Sequence, residues 1–348
     1  MDFSDTLLLW YDSHRRDLPW RRTCDPYRIW ISEIILQQTR VEQGWDYYLR
    51  FVERFPTVEA LAQAHEDEVL RLWQGLGYYS RARNLHAAAK TVAKRGSFPT
   101  AYEDVRALKG VGDYTAAAVC SIAYNQPVAV LDGNVFRVLA RYFHIDVPIN
   151  STQGKHYFAK LAQELLPARQ AGRYNQAIMD FGALQCVPAR PDCEQCPLKD
   201  SCVSFEKGEV SNYPVKEHRM TVKERYLVYC FLHQNGKVLM HRRTGRDIWR
   251  GLYEPLLLEF PKKPQDADIF SHAVLQSIDS GMTLCERVGV MKHKLTHRTL
   301  LLRAFEAQVG KNAVIPEGCF WADAAQIESL PLPRAVEVLF EQMADQLF

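Results

Sequence analysis

The stretch from Leu108 to Arg137, LKGVGDYTAAAVCSIAYNQPVAVLDGNVFR, joins a glycine hairpin to a solitary carboxylate. Gly110 and Gly112 flank Val111, and glycine permits the positive φ angles and close backbone approach that a β-branched residue resists. Tyr114 to Tyr124 then reads as a short apolar helix, whose exposed first amides and dipole suit an anion such as a phosphate. An ordinary turn before a helix carries the same pattern. Asp132 follows the apolar run Pro127 to Leu131 and precedes Gly133 and Asn134, which sets its carboxylate at the end of a buried segment. A plain turn aspartate is the alternative.

A second carboxylate lies in WISEIILQQTRV, Trp30 to Val41. As a helix this segment places Glu33, Leu36, Gln37 and Arg40 on neighbouring turns of one side. Among Trp30, Ile34 and Leu36 the Glu33 carboxyl would be poorly solvated, and such surroundings raise its pKa toward the range of a general acid at neutral pH. A half-exposed glutamate paired with Arg40 or Arg28 is the other reading. Two carboxylates in different surroundings can divide acid and charge-stabilising duties, as in glycosidases.

Cys186, Cys193, Cys196 and Cys202 form C-x6-C-x2-C-x5-C in a loop stiffened by Pro188, Pro191 and Pro197. Four thiolates so close together want a metal. Tetrahedral zinc accepts four cysteines, often as two CxxC pairs. Only one CxxC is present here, and the uneven spacing can also wrap a larger object such as a 4Fe-4S cluster. The other five cysteines are scattered, as expected of reduced thiols.

The elements that must hold these groups read as two regions. Helical patterns run through Phe3–His14, Tyr27–Gln38, Val41–Phe55, Val58–Ala64, Glu66–Trp73, Tyr79–Lys94 and Ala101–Ala107, then through Val135–Phe143, Lys155–Leu166 and Tyr174–Gln185. Residues 204–223 are polar and aperiodic and read as a linker. Beyond them Tyr226–Leu232 and Lys237–Arg242 flank a Gln234-Asn235-Gly236 hairpin signal. Strand-like runs follow at Leu256–Phe260, Arg287–Lys292 and Leu300–Gln308, with helical patterns at Phe270–Ile278 and Arg334–Leu347. A chain of 348 residues fits two such domains.

A net charge of +2, evenly spread, requires any nucleic-acid surface to be local. No apolar run approaches a membrane span and the first residues lack a secretory pattern, so the expected location is cytoplasmic, nucleoid-associated if bacterial.

Taken together, L-x-G-V-G-x-x-T, L-D-G-N-V, S-E-x-x-L-Q-Q-T and the cysteine spacing resemble the helix-hairpin-helix DNA glycosylases, and over nearly the whole chain the MutY-type adenine DNA glycosylases. The resemblance implies a mainly α catalytic region over 1–203, with a six-helix barrel and a 4Fe-4S loop at 186–202, then an α+β Nudix-like domain over 224–348. It implies that Glu33 helps protonate adenine at N7, that Asp132 acts at the sugar, and that Asn134 orients Asp132 or water. Gln176 matches a residue reading the adenine edge, with Met179 and Asp180 across the same helix face and Leu36 and Trp20 completing the pocket; core packing is the plainer reading of Met179 and Trp20. Gln38 and Tyr78 match wedge residues that fill the gap left by a flipped base. Gly110, Val111 and Gly112 match the DNA-gripping hairpin, with Arg81 and Arg83 as further phosphate contacts.

Tyr114 stands where bifunctional endonuclease III-like enzymes carry a Schiff-base lysine, so the resemblance implies a monofunctional glycosylase. In the second domain no segment after Gly251 supplies the glutamate-rich Nudix motif, which excludes hydrolysis by the magnesium route. Leu295, Thr296 and His297 stand where the family has a lesion-reading Phe-Ser-His. The implied partner is double-stranded DNA with adenine opposite 8-oxoguanine or guanine, bound by a monomer without a membrane. An oxidised-pyrimidine lyase and a catalytically silent damage sensor are the competing readings.

Overall fold

The computed structural model describes residues 2–217, 222–295 and 297–347; Thr296 of the expected lesion-reading turn lies outside them. The chain divides into two compact units, 1–63 with 84–218 and 64–83 with 219–348. Residues 64–83 thus leave the expected 1–203 domain and join the C-terminal one.

In chain order the helices that build the first unit begin with α1 (Phe3–His14), α2 (Pro26–Leu36), α3 (Val41–Arg54) and α4 (Val58–Gln63). The short α5 (Glu66–Leu72) belongs to the second unit, and α6 (Ser80–Arg95) starts there before entering the first. Then come α7 (Tyr102–Arg106), α8 (Asp113–Tyr124), α9 (Gly133–Tyr142), α10 (Thr152–Glu164), α11 (Ala171–Leu184) and α12 (Val203–Glu206). Their ends follow local chemistry. Asp25 caps α2 by accepting from the Tyr27 amide at 2.9 Å with Pro26 in the first turn, and Ser151 caps α10 through the Gly154 amide. Helix α2 stops at Leu36, two residues before the expected Gln38, because Gln37 leaves the helix with ψ 112° and Gln38 then takes φ 57°.

The small residues Ala116, Ala117 and Ala118 of α8 bring α2 and α11 close on its two sides. A Cβ on Gly172 would strike the Ser121 carbonyl, so that approach of α11 to α8 requires glycine. Between these helices Asn175, 1% exposed, donates to Ser121 Oγ and the Val128 carbonyl at 2.8 Å and accepts from the Val130 amide at 3.2 Å. It thereby fixes the extended segment leading to Asp132.

The segment expected to be a linker is ordered on the first unit as far as Glu217. It carries α12 and buries Ser204 and Tyr213, and the Ile149 amide bonds the Val215 carbonyl at 3.0 Å.

The second unit is built on a mixed sheet of β1 (Lys223–Gln234), β2 (Lys237–Arg242), β3 (Tyr253–Phe260), β4 (Cys285–Lys294), β5 (Arg298–Gln308) and β6 (Cys319–Ala322), in the order β4-β5-β1-β3-β2-β6. Strands β1 and β5 are parallel, Lys223 opposite Arg298 through His233 opposite Gln308; the other pairings are antiparallel. Leu227–Leu232 is buried on both faces, as its unbroken apolar run requires. Helices α13 (Asp266–Phe270), α14 (Ala273–Ile278), α15 (Ala324–Ser329) and α16 (Arg334–Leu347) complete it. Among the described residues no helix is long and apolar enough to cross a membrane.

Asn175→Ala strands the Val130 amide and the Val128 carbonyl in the interior. We expect a destabilisation of about 2 to 4 kcal/mol, measured as a lowered denaturation midpoint at unchanged helix content.

Candidate active site

In the first unit a cavity of about 630 Å³ opens between α2, α8, α9 and α11, with Trp20, Glu33, Leu36, Tyr114, Asp132 and Gln176 in its wall. Its size suits a small planar ligand enclosed by apolar and a few convergent polar groups. Glu33 projects from the middle of α2 and is 8% exposed. Burial pushes its carboxyl up to about 7. The Tyr114 hydroxyl, donating at 2.7 Å, and the charge of Arg21 oppose that rise, and Asp132 adds to it.

Asp132 is the N-cap of α9. Its Oδ1 accepts from the Asn134 and Val135 amides at 2.9 and 2.8 Å, and its Oδ2 from Asn134 Nδ2 at 2.8 Å. Burial raises its pKa too, but these three donors and the charge of Arg137 work for the ionised form. Asn134 is oriented in turn, its Oδ1 accepting from Arg137 at 2.8 Å. Arg137 also donates to the Gly182 carbonyl at 2.6 Å and the Cys186 carbonyl at 2.8 Å. A Cβ on Gly182 would stand 2.6 Å from Asn134 Cβ, so the close passage of α11 past this network requires glycine.

Gln176 Oε1 accepts from the Tyr11 hydroxyl at 2.7 Å, which leaves the amide NH2 as the donor for the cavity. Met179 lines the wall with its sulfur 3.4 Å from the Tyr114 hydroxyl. Trp20 combines both of its readings, packing edge-on against Tyr48 while lining the cavity.

Asp180 does not reach the cavity. Fully buried, it is gripped by Arg16, whose Nε donates at 2.8 Å, and by Arg21. Burial alone would push its carboxyl up; the two guanidiniums reverse this and hold it below the ordinary range. Asp180 therefore steadies Arg21, a cavity residue that the sequence reading missed. Its only sequence signal was its position beside Trp20 in L-P-W-R. Tyr11 and Arg137 were missed for the same reason, since their partners are remote or unremarkable in sequence.

In the hairpin, Gly110 has φ +80° and a Cβ there would meet Asn84 at 2.6 Å, while the Val111 side chain is buried. Gly112 caps α8 with a bare backbone. The four cysteines surround one small void with Arg141, which is 3% exposed and donates to Cys186 Sγ at 3.5 Å and to the Val187 and Pro188 carbonyls at 2.7 and 2.9 Å. The four thiols line that void together.

In the second unit Tyr78 is 41% exposed at φ 47°, between Gly77 and the start of α6. Arg81 is turned back into its own loop, donating to the Leu76 and Gly77 carbonyls at 3.2 Å, with burial bringing its pKa down to about 10. Arg83 donates to the Arg250 carbonyl. Both serve intramolecular contacts where phosphate contacts were expected. Leu295 donates its amide to the Arg298 carbonyl at 2.8 Å to close the turn between β4 and β5, on which His297 is exposed.

Residues 31–167 match the HhH-GPD superfamily of base excision DNA repair proteins, and residues 227–342 match the NUDIX domain. The adenine DNA glycosylase of Buchnera aphidicola subsp. Baizongia pistaciae is 33% identical, over 96% of this chain and 94% of that protein. The chain belongs to the adenine DNA glycosylase family. The human adenine DNA glycosylase is 31% identical, over 97% of this chain and 73% of its own. Among solved structures, a thermostable thymine-DNA glycosylase superposes with a TM-score of 0.55 at 32% identity, covering 59% of this chain and 95% of its own. Endonuclease III in a non-covalent DNA complex shares the fold, with a TM-score of 0.52 at 21% identity over 59% of this chain and 94% of its own. The enzyme is thus a DNA glycosylase, a hydrolase of base excision repair.

A reaction that needs protonated Glu33 slows as pH rises through about 7. Tyr114→Phe deletes a donor that favours the carboxylate, so the Glu33 pKa climbs and the falling limb moves to higher pH. Single-turnover rates across the neutral range check the direction of that displacement.

Proposed function

We propose that this enzyme removes adenine mispaired with 8-oxoguanine or guanine and stops at the abasic site. The observation that carries the reading is the pairing of Glu33, set to hold a proton near neutrality, with an Asp132 supplied by three N–H donors, in one cavity. Glu33 gives its proton to N7 of the extruded adenine, so the electron pair of the breaking glycosidic bond is drawn into the base. The sugar gains oxocarbenium character, which the Asp132 carboxylate stabilises until water adds at the anomeric carbon and gives its proton to the Glu33 carboxylate, restoring the acid. Gln176 donates to an acceptor on the adenine edge, and Leu36, Met179 and Trp20 enclose the ring. Among the described residues no lysine lines the cavity, and a tyrosine at position 114 forms no Schiff base, which supports hydrolysis without strand cleavage.

Gly110 to Gly112 hold a backbone phosphate through the amides of α8, and Gln38 and Tyr78 each serve as a wedge in the DNA. Leu295, Thr296 and His297 read the base opposite adenine. Cys186, Cys193, Cys196 and Cys202 hold a 4Fe-4S cluster. The ring of thiols around a void, with the buried cation Arg141 beside them to balance an anionic cluster, supports that larger group over a lone ion. When bound it supplies structural cross-linking of the loop beside α9. Its test is direct: purified protein shows a broad visible absorption band and about four irons per chain. A colourless protein carrying zinc overturns the assignment.

On duplexes carrying adenine opposite 8-oxoguanine or guanine, we expect Glu33→Gln and Asp132→Asn each to lower the single-turnover rate by about 10² to 10⁴ while DNA binding persists. Borohydride should trap no covalent adduct during base removal. Normal rates in both variants would remove the two carboxylates from the mechanism.

A further inference from the structure

Residues 64–83 precede the hairpin in sequence, yet they are packed into the C-terminal unit at both ends of the loop that carries Tyr78. At one end Arg242, the last residue of β2, donates to Glu66 and Asp67 at 3.0 Å, and the Tyr253 hydroxyl of β3 donates to Asp67 Oδ2 at 3.0 Å. The Arg242 guanidinium also lies over the Tyr253 ring, 5.7 Å from its centre. At the other end the Tyr79 hydroxyl donates to the Leu332 carbonyl at 3.3 Å, the Leu332 amide donates to Gln74 at 3.3 Å, and Arg83 donates to the Arg250 carbonyl.

Between these anchors the loop is tight. Gly75 and Gly77 take φ +93° and +72°, and the Gly77 carbonyl accepts from both Trp73 Nε1 at 3.1 Å and Arg81 at 3.2 Å. Tyr78 follows with its own positive φ and an exposed ring. A side chain that must wedge into stacked bases gains from such a fixed base, because ordering it on binding then costs less entropy.

We propose that Arg242 and Tyr253, clamping Asp67, are positioning residues for Tyr78, so that the C-terminal domain governs lesion preference through this loop as well as through the turn at Leu295 and His297. The inference rests on the reading of Tyr78 as a residue that stacks in DNA and of the enzyme as one that prefers 8-oxoguanine.

The test compares adenine removal opposite 8-oxoguanine and opposite guanine for wild type, Arg242→Ala, Tyr253→Phe, Arg242→Lys and Tyr78→Ala in the full-length enzyme. Arg242→Ala should lower the preference for the 8-oxoguanine duplex about three- to tenfold, chiefly through substrate affinity, with the rate opposite guanine kept. Arg242→Lys, retaining the charge, should restore part of it. Tyr253→Phe loses a single hydroxyl, and a smaller loss of the same kind there separates positioning from misfolding. In the Tyr78→Ala background Arg242→Ala should add nothing, whereas with His297→Ala its effect should add in full. A wild type without lesion preference overturns the lesion-reading assignment and this inference with it. A wild type with preference that Arg242→Ala and Tyr253→Phe both keep, or an effect that persists without Tyr78, overturns this inference alone.

Discussion

The first unit depends on burying two carboxylates in one cavity while giving them opposite surroundings. Water would satisfy both alike, and both would be ionised at neutral pH. Withdrawn from water, each becomes a function of its few neighbours. Asp132 receives a full set of N–H donors because it caps a helix, whose first amides have no other partner. Glu33 sits in the middle of a helix, where its own backbone offers it nothing, and receives one hydroxyl. Helix end against helix middle is therefore the difference between a carboxyl given three donors that favour its ionised form and one that burial dominates.

That arrangement has a cost in stability. The folded-state pKa of Glu33, about 7, lies above its ordinary value of 4.5. The protonated form is the one the fold accepts, so stability is full below the ordinary carboxyl range and declines as pH rises from there through 7. The loss saturates at about 3 to 4 kcal/mol, at roughly 1.4 kcal/mol for each pKa unit. The surrounding structure has to over-determine the site to tolerate it. Asn175, Gly172 and Gly182 do so by fixing how closely α11 passes α8 and α9, and Arg137 ties the Asp132 cap to the backbone of the cysteine loop.

What could be read from the sequence was what is local. The helix holding Glu33, the place of Asp132 at the end of an apolar run, the hairpin glycines and the cysteine spacing all lie within short windows whose periodicity and residue types act through neighbours a few positions away; that Asp132 caps a helix was not foreseen. Strand β6 and helix α15 are too short to impose a period, and neither was foreseen. Asp180 was placed on the cavity side because it shares a helix face with Gln176. The two arginines that draw it inward come from a segment some 160 residues earlier, and no pattern on α11 announces them. Residues 64–83 pose the same difficulty on a larger scale. Their acidic and aromatic side chains look like any solvated helix face until Arg242, Tyr253 and Leu332 are seen to meet them.

Position 114 brings these threads together. A lysine there would offer an amine to the sugar, and it would also set a positive charge against Glu33, favouring the carboxylate and removing the acid. Tyrosine does neither. Burial and the nearby carboxylates push its own pKa well above the ordinary phenol value, so it remains a neutral donor throughout the range in which Glu33 titrates. Its hydrogen bond to Glu33 tempers the rise that burial imposes there without cancelling it, and its hydroxyl also meets the Met179 sulfur. The position at which a lysine would bring an amine into the cavity is thus also one from which the Glu33 carboxyl is tuned.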